Sequence, residues 1–186
     1  NGVRVVVDAK VVDKGVKLPE ERTTSVDTLE ADTLAVLSDL NHASQKGLQT
    51  IFDCSVGRST VNHPLGGRYQ LTPTEASVQK LPVQHGVTHT ASVMAQGFNP
   101  YVAEWSPYHG AAYAVIEATA RLVAAGANWS KARFSYQEYF ERMDKQAERF
   151  GQPVAALLGS IEAQIQLGLP SIGGKDSMSG TFEELT

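Results

Sequence analysis

A dense set of glycines and polar residues lies near the end of the 186-residue chain, in the stretch GLPSIGGKDSMSG at residues 168–180. Because Gly173 and Gly174 are consecutive, backbone N–H groups there can approach a ligand closely and form an anion-binding nest. Lys175 would add a point charge for a phosphate, and Asp176 would offer an oxygen ligand to Mg²⁺. The composition therefore indicates a phosphate or metal site.

Two serines, Ser177 and Ser179, add hydroxyl groups to the same stretch. The spacing GxxxxGK[ST] of the common phosphate loop is absent. A glycine-rich turn between a helix and a following domain explains the composition equally well. The residues alone leave both interpretations open.

A second stretch, HPLGGRYQLTP at residues 63–73, has a similar composition within a long loop predicted at residues 55–73. Loops of this length in a compact domain are often functional. A surface loop with one basic residue is the alternative, and a turn is predicted at residues 72–73. The residues that would meet an anion are His63, Gly66, Gly67 and Arg68.

The histidines His85 and His89 are four residues apart, which suits one face of a helix or of an extended segment. Gly86 and the β-branched residues that follow favour the extended form. Zinc would require further ligands at short range, and none is near. We therefore predict polar residues at the start of a strand.

Glu117 lies within an alanine-rich helical stretch, where a carboxylate needs pairing, hydration or a metal ion. Arg121 is one helical turn later, so an ion pair is predicted, with a magnesium ligand as the alternative. His109 precedes this stretch, and we expect it to cap or pack the helix start, with a catalytic base as the alternative.

Composition excludes several classes of function. A net charge of −4 gives no basic face for nucleic acid, and no apolar run is long enough to cross a membrane. The single cysteine, Cys54, rules out a disulfide framework within the chain and points to a reducing compartment. We interpret Cys54 as a small buried residue rather than a nucleophile.

The pattern of apolar residues predicts alternating strands and helices, hence the class α/β or α+β. Strands are predicted at residues 3–12, 75–83 and 88–97, with a short strand from residue 170 into the glycines. Helices are predicted at residues 27–40, 44–52, 111–125, 134–149 and 153–167. Residues 14–26 are typical of a polar linker, and both ends of the chain suggest a segment of a longer protein.

Several stretches together resemble one family across residues 34–183. They are DCSVGRSTVNHPLGGRYQLTPTEASVQKLPV, TASVMAQGFNPYVAEWSPYHGAAYAVIEATARLVAAGA, RFSYQEYFERM and GLPSIGGKDSMSGTFE. In type and order they are similar to the large, single-chain phosphoribosylformylglycinamidine synthases of purine biosynthesis. GGKDSMSG is the most specific of these motifs.

The resemblance implies an ATP-dependent ligase that converts formylglycinamide ribonucleotide to the amidine, with Mg²⁺ and with ammonia from glutamine. It also implies a cytoplasmic protein. In this family a separate domain with a cysteine nucleophile releases the ammonia, and Cys54 does not lie in that motif. The alternatives are a non-catalytic structural or nucleotide-binding module with the same fold, and a kinase-like member of the same superfamily.

The resemblance also implies a domain organisation. Residues 1–26 correspond to the tail of a preceding domain and a linker, and residues 181–186 to the start of the next domain. Residues 27–180 correspond to the aminoimidazole-ribonucleotide-synthetase-like N-terminal domain of the second half, with a mixed sheet and helices packed on one face. The expected partners are the first synthetase half and the glutaminase domain. A segment without them is expected to be inactive and to form a homodimer.

The family's motifs suggest site residues, although no catalytic residue is assigned. Metal ligands in many relatives are an Asp after the strand, and a Glu and an Asn one turn apart. The matching positions here are His85, Glu117 and Arg121, so only Glu117 agrees, and Asp176 is the other metal candidate. We expect this segment to bind neither ATP nor Mg²⁺ by itself. The nucleotide- or phosphate-binding candidates are Gly173, Gly174, Lys175, Asp176, Ser177 and Arg68.

Overall fold

The structure is a computed structural model that describes residues 25–44, 46–51, 58–143 and 146–178. The strand predicted at residues 3–12, most of the linker, Ser179 and Cys54 lie outside these residues. Helices and strands alternate, which confirms a mixed α and β class. The elements are α1 (Leu29–Ser38), α2 (Lys46–Gln49), β1 (Leu65–Gly66), β2 (Thr72–Pro73), β3 (Ala76–Lys80), β4 (Ala91–Ala95), α3 (Pro100–Trp105), α4 (Pro107–Ala124), a 3₁₀ turn (Trp129–Lys131), β5 (Phe134–Tyr139), α5 (Ala147–Leu167) and β6 (Ser171–Ser177).

The strands form three two-stranded sheets among the described residues, rather than the single mixed sheet that we expected. Strands β1 and β2 are antiparallel, as are β3 and β4, whereas β5 and β6 are parallel. Parallel strands need a crossover connection, and α5 supplies it. The glycine-rich stretch is therefore joined to the chain's longest described helix at one end and to β5 along its length.

The α4 helix begins where Ser106 caps it and Pro107 occupies the first turn. The hydroxyl of Ser106 also lies 2.8 Å from Nδ1 of His109, whose ring packs against Trp105 and Tyr108. The predicted packing role of His109 is therefore confirmed, whereas the cap is Ser106. Gly126, with φ +83°, follows the helix end as expected.

The α4 and α5 helices pack against each other and against one face of the β5–β6 sheet. Buried residues of α4, α5 and β5 form the core, together with Leu169 in the segment that leads into β6. The strand β6 itself is largely exposed, and its pairing with β5 sets its position. The core residues are Val115, Ala118, Phe134, Ala163 and Leu169.

The helix predicted at residues 134–149 is wrong. Residues Phe134–Tyr139 form β5, and α5 begins only at Ala147. The charged residues of FSYQEYFERM suggest an amphipathic helix, but Phe134 and Tyr136 alternate towards the core in an extended chain. The helix predicted from Pro153 therefore starts six residues earlier, and Pro153 lies inside it.

Helices α1 and α2 and strands β3 and β4 lie within the predicted ranges, α4 begins four residues before the predicted start at residue 111, and α3 was not predicted. Thr28 precedes the first turn of α1, and its hydroxyl donates to the Ser25 carbonyl rather than capping the helix. The Ser44 hydroxyl accepts a hydrogen bond from the Lys46 N–H at 3.3 Å. The turn predicted at residues 72–73 is wrong, because these residues form β2 and the turn spans residues 67–70. The described helices include none that is both long and apolar enough to span a membrane.

Candidate functional site

The glycine-rich stretch forms the strand β6 and not a loop. Residues Ser171–Ser177 pair with β5 in parallel register as far as the pair Tyr139 and Ser177. A loop or turn at Gly173 and Gly174, which the composition suggested, is therefore wrong as a structural prediction. The assignment of phosphate binding to these residues stays a prediction.

The pairing with β5 explains both glycines. Phe134 of β5 pairs with Ser171 of β6, but the next residue, Ser135, pairs with Gly173. Ile172 is therefore an extra residue on β6 and forms a β-bulge. Gly173 has φ +150° at this bulge, a conformation that side chains disfavour. At Gly174, an added Cβ would lie 2.9 Å from the carbonyl oxygen of Tyr136. The close pairing of the two strands thus explains why glycine is needed at both positions, and no bound ligand is required for the explanation.

The alternation of side chains along β6 separates the polar candidates. Lys175 and Ser177 lie on one face of the strand, and the Lys175 ammonium donates to the Ser177 hydroxyl at 2.9 Å. Gly174 and Asp176 lie on the other face of the sheet, where Tyr136 of β5 is paired with Gly174. Lys175 and Asp176 therefore do not converge on one ligand.

The sequence interpretation missed two polar residues of β5, Tyr136 and Glu138. Glu138 lies opposite Asp176, and its pKa is raised first by burial and second by the charge of Asp176. Burial, and then the charge of Glu138, raises the pKa of Tyr136 to about 12. The Tyr136 hydroxyl and Oε2 of Glu138 are buried and have no hydrogen-bond partner among the residues that the structure describes. The alternating pattern of FSYQEY was the signal that could have found them.

Tyr136 and Glu138 line a cleft of about 1040 Å³ between β4, β5 and the α4 helix. Its walls are largely apolar and include the inner face of α4 near Val115. Charged side chains reach it from Glu104, Arg133 and Glu141. A cleft with apolar walls and a few polar groups is the usual setting for a small-molecule site.

Arg68 lies apart from these residues, in the turn between β1 and β2. Its guanidinium lies 5.6 Å from the centre of the Tyr69 ring. The turn begins at Gly67, whose φ of +78° favours glycine. The carbonyl of His63 accepts a hydrogen bond from the Thr74 hydroxyl at 2.7 Å. The second glycine-rich stretch is thus built as a hairpin.

The ion pair predicted between Glu117 and Arg121 is confirmed, with Nη2 of Arg121 2.8 Å from Oε1 of Glu117. Oε2 of Glu117 accepts the backbone N–H of Phe98 at 2.8 Å. The same arginine also reaches Glu75, which the sequence interpretation missed. Both carboxylate oxygens of Glu117 therefore have protein partners, and the permanently charged arginine beside them does not suit the magnesium ion that the resemblance suggests.

The remaining metal candidates are dispersed. His85 and His89 lie in the connection between β3 and β4, and β4 begins two residues after His89. In the part of the chain that the structure describes, no three His, Cys, Asp or Glu residues are grouped in a way that would hold a metal ion.

Comparison with known proteins gives one informative result. No protein-family model matches the chain, and no curated protein matches it. The solved structure of PurLQS from Thermotoga maritima matches with a TM-score of 0.62 at 15% identity, and the match covers 97% of this chain and 25% of that chain. The likeness shows a fold shared with about a quarter of PurLQS.

Proposed function

We propose that this chain is one domain of an ATP-dependent amidine synthetase of the phosphoribosylformylglycinamidine synthase type. The observation that carries the proposal is the fold that nearly the whole chain shares with a quarter of PurLQS. The ordered motifs, from DCSVGRST to GGKDSMSG, point the same way. The assignment to the N-terminal domain of the second half, the partner domains and a cytoplasmic location belong to the same proposal.

In such an enzyme the formamide oxygen is activated as a phosphate ester, which ammonia then displaces. Transition states of phosphoryl transfer are stabilised by cations and backbone donors. In this chain, the cation that β6 presents to solvent is Lys175, next to the hydroxyl of Ser177. The role of this domain would be to support a site that its neighbours complete, and we expect the separate segment to be inactive.

The test is an activity assay of the full-length gene product and of residues 1–186. With formylglycinamide ribonucleotide, glutamine, ATP and Mg²⁺, the full-length product should form the amidine and release ADP and glutamate. The separate segment should form none. A full-length product of about 186 residues, or a longer one that forms no amidine, would overturn the proposal.

A non-catalytic module of the same fold is the second candidate. Strand pairing accounts for Gly173 and Gly174, and Lys175 and Asp176 face apart, which favours a structural role for this stretch. Calorimetry with ATP and Mg²⁺ distinguishes two roles for β6. Micromolar binding that Lys175→Ala abolishes, but Lys131→Ala leaves unchanged, would support a nucleotide site and contradict a structural role.

A further inference from the structure

The guanidinium of Arg121 is held by acceptors from three parts of the fold. Its Nε lies 2.7 Å from Oε2 of Glu75, just before β3. Its Nη1 donates to the carbonyl of Gln96, just after β4, at 2.8 Å. Its Nη2 binds Glu117 on the same helix. Two carboxylates and a carbonyl thus surround one cationic side chain.

We propose that Arg121 is a built-in cation that occupies the place of a divalent metal ion between Glu75, Glu117 and the Gln96 carbonyl. Carboxylate and carbonyl oxygens are the ligands that Mg²⁺ takes in proteins. Here the guanidinium satisfies the same oxygens and joins the start of β3, the end of β4 and α4. The inference rests on these contacts and is independent of the proposed enzyme activity.

The surroundings of Arg121 favour a fixed cation over an exchangeable one. Its side chain is 25% exposed, so the guanidinium is largely withdrawn from solvent. A divalent ion at these carboxylates would stand beside an arginine that cannot lose its proton. A cleft of about 680 Å³, with polar residues such as Thr60, Asn62 and Gln79 among those that line it, includes Arg121 in its wall and would admit a hydrated ion if that side chain were shorter.

The experiment compares Mn²⁺ binding by the wild type and by Arg121→Asn, followed by the electron paramagnetic resonance signal of free Mn²⁺. Removal of the guanidinium should raise Mn²⁺ affinity at least about tenfold, because the two carboxylates become available to the metal ion. Mg²⁺ should raise the Tm of Arg121→Asn and leave that of the wild type unchanged. The matched control is Arg133→Asn, since Arg133 donates to the backbone carbonyls of Lys131 and Ala132.

Two further variants make every outcome decisive. Adding Glu117→Gln to Arg121→Asn should remove the gained Mn²⁺ affinity. A folded Arg121→Asn that binds Mn²⁺ no better than Arg133→Asn would overturn the proposal. If Arg121→Asn does not fold, the single variant Glu117→Gln decides the question. Mn²⁺ binding equal to that of the wild type supports the inference, and a tenfold loss contradicts it.

Discussion

Glu138 and Asp176 lie opposite each other in the parallel register of β5 and β6. Burial raises the pKa of Glu138, and the charge of Asp176 raises it further. Two carboxylates on neighbouring strands thus oppose each other on the sheet face that packs towards the helices. Such a pair destabilises the fold when both groups are charged.

Replacement of this carboxylate, Glu138→Gln, should stabilise the protein at neutral pH by about 0.2–1 kcal/mol, the usual cost of like charges on paired strands. Above the ordinary pKa of 4.5 the unfolded chain releases this proton, whereas the native Glu138, with its raised pKa, releases it only at a higher pH. The wild type should therefore lose stability as pH rises from this value, and the variant should not show that loss. Urea unfolding at pH 4 and pH 7 measures the difference. A control, Glu30→Gln on α1, should leave the pH dependence unchanged.

The phenol of Tyr136 gives a second prediction. Its pKa of about 12 means that stability is lost as pH rises from 10 towards 12, because the unfolded tyrosine ionises first. Tyr136→Phe should be neutral or stabilising by up to about 1–3 kcal/mol, since it removes a buried hydroxyl that no described residue pairs with. In a pH titration followed by tyrosinate absorbance, the step near pH 12 that the wild type shows should be absent from Tyr136→Phe. If Tyr139→Phe removed that step instead, the assignment would be wrong.

The contact between α4 and α5 at Gly159 gives a third prediction. A Cβ at this position would collide with the backbone carbonyl of Tyr108, which has little freedom to move. Gly159→Ala should destabilise the protein by about 1–3 kcal/mol, despite the better helix propensity of alanine. Thermal unfolding checks this. Gly47→Ala, in α2, is the control and should not destabilise, because no described residue lies within 4 Å of the added Cβ.

The predicted homodimer can be tested through the sheet face that points away from the helices. Tyr139 lies on this face and is 66% exposed. Tyr139→Glu should convert a dimer to a monomer in light scattering at high micromolar concentration, because a charge would be buried at the interface. Tyr113→Glu, on α4 and 61% exposed, should leave the dimer intact. A wild-type monomer at this concentration would contradict the prediction.

Local sequence signals predicted the helix ends better than the helix starts. Gly126 follows α4 with φ +83° and α5 ends at the predicted residue 167, but α4 starts at Pro107, four residues before its predicted start. The ion pair of Glu117 and Arg121 followed from helical spacing. These features depend on residues within one or two turns of each other, so a single chain segment contains the information.

The sequence alone determined the mixed α and β class, the positions of α4 and of the end of α5, and the pairing of Glu117 with Arg121. Only the tertiary structure decided that FSYQEY is a strand, that GGKDS pairs with it, and that Glu75 and Gln96 join Arg121. The physical reason is sequence separation. Strand pairing and the contacts of Arg121 join residues far apart in the chain, and whether a short segment is a strand depends on a partner that lies elsewhere.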